Sequence, residues 1–221
     1  MMLRAFRGWG ALVIGLVAAL QVTGAIPAQD AAEDEVGNPR VVSPAECQVE
    51  PRAVTEIAQI LHLDADGVPA PLYRTITAPL GEFADPATKL SINETTRELL
   101  ACFNAGDIPR ATALMTEQGI TRAYWGLTID QTAREATKAR LSGPPQPRPV
   151  AGQLRLITVT DTSFLPDGRV AAFVVLNDPL LPPPGPETLL VYFAHRDGLW
   201  LLDDWVDFTI IPASSEATPA P

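Results

Sequence analysis

The chain has 221 residues, a formal net charge of −10 and 22 prolines, and 47% of its residues are apolar. An acidic chain repels phosphate backbones, and no basic stripe interleaved with aromatics runs along it, which excludes nucleic acid as a partner. The length allows one domain with a real core plus flexible ends.

Residues 1–28 read as an export signal: Arg4 and Arg7, an uncharged stretch from Gly8 to Leu20 rich in Leu, Val and Ala, then small residues at Thr23, Ala25 and Ala28. The mature chain is expected to start near Ile26 or Gln29. No cysteine lies near the cleavage region, so a lipid anchor is not expected. The charge-free stretch reaches Gln29, which keeps an uncleaved anchor helix as the alternative. Either way the domain lies outside the cytoplasm, secreted or held at the envelope, with no membrane span in the mature part. Cys47 and Cys102 are the two cysteines and both fall in the exported part. In an oxidising compartment they form either a disulfide, the favoured reading, or two buried thiols. A bond would staple the N-terminal segment to the body and contribute about 4 kcal/mol on the chain-entropy model.

Residues 29–51 are acidic and without a sustained period, and are expected to form a flexible linker that becomes ordered near Cys47. Residues 52–85 read as an arm with one short helix, carried by Ala53, Val54, Ile57, Ile60 and Leu61 and ended by Asp64, Gly67, Pro69 and Pro71. The body, 86–211, opens with a strong helix. Asp85 and Pro86 supply the N-cap and first helical position, Gly106 follows its end, and Ile92, Leu99, Leu100 and Phe103 line one face. Asp107 caps a second, shorter helix through Ala111, Leu114 and Met115, with Gly119 beyond it. A third runs from Thr128 or Asp130 to Leu141, with Thr128 and Gln131 as a capping box, and the prolines at 144, 145, 147 and 149 stop it.

From residue 153 the period changes to two. Strands are expected at 153–164, 169–177, 188–195 and 199–209, joined by Asp167-Gly168 and Asp197-Gly198 turns and by a long connection from Pro179 to Pro186. This predicts an α+β domain in which three helices precede a four-stranded antiparallel meander. The second strand is apolar on both faces, so the N-terminal arm or a second subunit must cover the outer one. The tail, 212–221, is expected to be disordered.

The segment from Arg97 to Asp107, with Asn104-Ala105-Gly106-Asp107 between the first two helices, resembles the nuclear transport factor 2-like superfamily, which includes SnoaL-like cyclases and ketosteroid isomerase. The Pro166-Asp167-Gly168-Arg169 hairpin and the run from Gly198 through Trp200 to Asp203 and Asp204 carry the same resemblance. It covers roughly residues 86–210. It implies a cystatin-like cone, a strongly curved sheet wrapped round the helices with a pocket at its open end, and a homodimer formed through the sheet. In that family's enzymes an acid or His inside the cone performs acid–base chemistry on a small apolar molecule.

Candidate site residues follow from placing side chains near such a pocket: Phe103, Tyr124, Trp125, Tyr192, Trp200 and Asp204. His195 ends a strand beside a turn, where it is either a base or a solvated histidine. Strand parity groups Asp204 with Trp200, Leu202, Val206 and Phe208, and sets Asp203 on the opposite face. Asp204 is then either a desolvated general base or a carboxylate held by hydrogen bonds. His62 and His195 lack the spacing of a zinc site, and Asp64-Ala65-Asp66-Gly67 lacks the further acids of a calcium loop, so no metal is expected. No phosphate loop or nucleophile elbow occurs, and no cofactor is expected. The reading is an exported, non-catalytic domain that binds a small apolar ligand or a protein partner. The alternative is an isomerase, dehydratase or cyclase with Asp204 as base and Tyr124 or Tyr192 as hydrogen-bond donor. A structural role at the envelope, with the tail as spacer, is the third.

Overall fold

Strand β1, Arg40–Val41, opens the part of the chain that the computed structural model describes, residues 40–64, 81–181 and 185–207. Residues 1–28, read above as an export signal, the stop signals at Gly67, Pro69 and Pro71, and everything beyond Asp207 lie outside the described residues. Helix α1 spans Val54–Ile60 and buries Ile57. Helix α2 spans Pro86–Ala105: the Asp85 carboxylate accepts from the Ala87 and Thr88 backbone N–H groups, Pro86 fills the first turn, and Gly106 closes the end at φ 66°. A Cβ on Gly106 would stand 1.9 Å from the Gln146 carbonyl oxygen, so both the backbone conformation and the space select glycine.

Helix α3, Ile108–Ala113, is capped by Asp107 and is shorter than expected. The sequence reading missed α4, Glu117–Tyr124, because Gly119 looked like a terminator. It is instead part of the first turn, its N–H donating to the Thr116 cap, and it lets the helix approach the sheet: a Cβ there would stand 2.3 Å from the Leu202 carbonyl oxygen. Helix α5 spans Gln131–Ser142. Its cap is Asp130, which accepts from Ala133 N–H, whereas the Thr128 hydroxyl donates to the Trp125 carbonyl, so the expected Thr128–Gln131 box is not formed. The helix ends immediately before the proline-rich run.

Strands β2 (Arg155–Phe164), β3 (Val170–Asn177), β4 (Pro186–Arg196) and β5 (Leu199–Asp207) form the antiparallel meander. Asp197 and Gly198 both have positive φ, the conformation of a two-residue primed hairpin turn. The sheet has five strands rather than four, in the order β1-β2-β3-β4-β5, because Arg40 and Val41 pair with Leu156 and Arg155. Two residues are too few to show a period, which is why a segment assigned to the linker joins the sheet. Phe83 bridges Ser163 at the other end of β2. On the opposite edge, the Leu202 N–H donates to Leu114 and its carbonyl accepts from Thr116, so the turn before α4 covers β5.

Cys47 and Cys102 form a disulfide with both residues buried, and this bond is compatible with an extracellular protein. The helices share one apolar core with the β-sheet face carrying Val170, Ala172, Val174, Leu176, Val191 and Phe193. On the other face Ala171, Leu190 and Tyr192 form a small cluster of their own with Leu165, Phe173 and Val206 packed against it. Among the described residues no helix is long and apolar enough to cross a membrane.

Candidate functional site

Alternation along β4 sends Glu187, Leu189, Val191 and Phe193 toward the helices, with Leu176, Trp205 and Leu202 opposite three of them on the neighbouring strands. These side chains meet Thr96, Leu99, Leu100 and Phe103 of α2 and Ala123 and Tyr124 of α4 around a cavity of about 320 Å³. That volume lies at the small end of the range of ligand pockets. The lining is apolar except for a few groups, whose hydrogen bonds decide what the cavity can hold.

Thr96 is spent, since its hydroxyl donates to the Ile92 carbonyl at 2.7 Å. Arg148 and Asp178 are paired at 2.6 Å, and Asp178 also accepts from the Leu180 N–H. Two groups have no such use. Tyr124 is only 7% exposed, and its hydroxyl makes no hydrogen bond among the described residues. Burial raises its pKa, against the opposing charge of Arg140, so the phenol stays neutral. Glu187 is half-buried and has neither a hydrogen bond nor an ion pair among the described residues. Burial raises its pKa, and the charges of Asp207 and Asp178 add to the effect.

Of the residues proposed from sequence, Phe103 and Tyr124 line this cavity. Trp125 lies in the 3-10 turn after α4. Tyr192 is on the other face of the sheet, in the small second cluster, with the Arg169 guanidinium 5.1 Å from its ring centre. Trp200 packs against Phe164 and His195, with ring centres 6.4 Å and 4.9 Å away. His195 is exposed at the strand end, and His62, also exposed, follows α1.

Asp204 is not among the cavity-lining residues, and strand parity fails for a definable reason. Phe193 pairs with Leu202 while the adjacent Tyr192 pairs with Asp204, so β5 carries one extra residue, Asp203, as a bulge. Leu202 therefore faces the core, and Asp204 shares the face of Tyr192 instead of that of Leu202. Its carboxylate accepts from Gln118 Nε2 at 3.0 Å and from the Trp205 N–H at 2.8 Å, with Arg122 Nε 3.6 Å away. Asp203 accepts from the Thr116 hydroxyl at 2.8 Å and from Arg169 at 3.0 Å. Both aspartates thus fasten β5 to its neighbours.

Arg148, Asp178 and Glu187 were not singled out from sequence, because they flank segments read as loops. The usable signal for Glu187 was its even spacing ahead of Leu189, Val191 and Phe193. Comparison with family models, curated proteins and solved structures gives no significant match.

Proposed function

We propose that this chain is an exported binding domain of the nuclear transport factor 2-like kind, a cone whose cavity holds one small apolar molecule. The observation that carries the reading is an apolar cavity, walled by α2, α4 and three strands, in which the Tyr124 hydroxyl and the Glu187 carboxylate are left without partners. Both groups line the cavity, where the polar atoms of a bound molecule can reach them. Export agrees with the leader-like sequence and with the buried disulfide.

Calorimetric titration of the purified protein with 1-octanol tests this. One saturable site is expected, abolished by Leu189→Trp, which fills the cavity from β4, with the fold retained by circular dichroism. Absence of saturable binding, or equal binding by the variant, would overturn the reading.

A second reading, an isomerase, dehydratase or cyclase, is favoured by one observation: a carboxyl with a raised pKa, Glu187, lies in the same cavity as a neutral phenol, Tyr124. Glu187 would then take the role of base expected of Asp204. Deuterium exchange next to the carbonyl of 2-octanone, followed by NMR, tests it. Exchange above the buffer rate that is lost in Glu187→Gln supports catalysis, and exchange at the buffer rate removes it.

A further inference from the structure

We infer that the cavity selects amphipathic amines, with the apolar body inside and the protonated nitrogen against Glu187 at the wall formed by the start of β4. The inference rests on the binding reading above and adds the ligand's charge. Three carboxylates act on this part of the site, Glu187, Asp178 and Asp207, and the cation lining it, Arg148, is already paired with Asp178 at 2.6 Å. The field at Glu187 is therefore negative, which attracts a cation and repels an anionic head group. Burial is the larger cause of the raised Glu187 pKa, and the charges of Asp207 and Asp178 add to it.

A metal ion is a poor fit for that charge, because among the described residues no three His, Cys, Asp or Glu side chains are grouped to hold one. An organic cation needs only one carboxylate and an apolar wall, and both are present. Tyr124 supplies the independent sign of a ligand, a side chain more than nine-tenths buried in the cavity lining whose hydroxyl has no partner among the described residues. It offers a hydrogen bond to a second polar atom on the bound molecule. An alkylamine is protonated at neutral pH, as a lysine side chain is, so the charge is available without any change in the protein.

The experiment is a calorimetric comparison at pH 7 of octylamine, 1-octanol and octanoate, three probes with one apolar body and different ends. Octylamine is expected to bind about tenfold more tightly than octanol, the difference a charge-assisted hydrogen bond supplies. Octanoate is expected to bind more weakly than octanol. In Glu187→Gln the ratio of octylamine to octanol affinity falls to within about twofold, and in Glu187→Lys the order of octylamine and octanoate reverses. Equal octanol and octylamine affinities in the wild type, or a preference that survives Glu187→Gln, overturns the inference while octanol binding keeps the cavity reading. Failure of all three probes overturns both.

Discussion

Asn104 holds Leu154 by two hydrogen bonds: its Nδ2 donates to the Leu154 carbonyl at 3.1 Å and its Oδ1 accepts from the Leu154 N–H at 2.7 Å. The same Nδ2 donates to the Val42 carbonyl at 2.8 Å, and the residue is fully buried. One amide therefore joins the end of α2, the chain after β1 and the chain entering β2.

Asn104→Ala leaves three buried backbone groups without partners at once. The expected loss is about 2–4 kcal/mol of unfolding free energy, read as a lower urea midpoint. Amide exchange at Leu154 should accelerate more than at the middle of β3. A loss under about 1 kcal/mol would show that water replaces the amide.

Gly119→Ala sets helix propensity against packing. Propensity alone predicts a gain of up to about 1 kcal/mol, whereas a methyl group 2.3 Å from the Leu202 carbonyl oxygen forces α4 away from β5. Packing is expected to win, with a net loss of about 1–3 kcal/mol in thermal or urea unfolding. A stabilised variant would mean that the helix shifts freely.

Removing the disulfide by Cys47→Ser with Cys102→Ser is expected to cost about 3–5 kcal/mol, from the unfolded chain's regained freedom. The bond closes a loop 55 residues apart in sequence and both sulfurs belong to buried residues. Native protein should therefore resist mild reductant that cleaves the bond in urea. Free thiols detected in native, untreated protein would contradict the pairing.

Asp204→Ala separates a structural carboxylate from a functional one. Its partners are Gln118, Arg122 and the Trp205 N–H, so the expected effect is a stability loss of about 1–3 kcal/mol with octanol affinity unchanged. A large change in affinity without a stability change would return Asp204 to the binding site.

Glu187→Gln should behave in the opposite way. A carboxyl whose pKa is raised by folding binds its proton more tightly folded than unfolded, so the folded state loses stability as pH rises from the ordinary carboxylate range through the raised value. The amide has no proton to lose. The variant is expected to melt above the wild type at pH 7, with the difference vanishing below about pH 4, where both forms are neutral. A variant that melts lower at pH 7 would show that Glu187 has a stabilising partner.

The parts legible in the sequence are those set by residues a few positions apart. Asp85, Pro86 and Gly106 delimit α2 because caps act within one turn, and Asp197-Gly198 marks its hairpin because a primed turn requires positive φ at adjacent positions. Short apolar runs on either side of the proline-rich connection are enough to mark β3 and β4 as strands. The pairing of Cys47 with Cys102 followed from there being two cysteines in a chain whose first residues read as an export signal.

What the tertiary structure alone decided depends on partners far away in the chain. Arg40 and Val41 are a strand only because β2 offers an unpaired edge, and position 119 takes glycine because the Leu202 carbonyl stands where a Cβ would. The bulge at Asp203 reverses the face of Asp204 and so moves the carboxylate question to Glu187. A single inserted residue is invisible to a periodic reading of one strand, because register belongs to the pair of strands and is set by long-range packing rather than by local propensity.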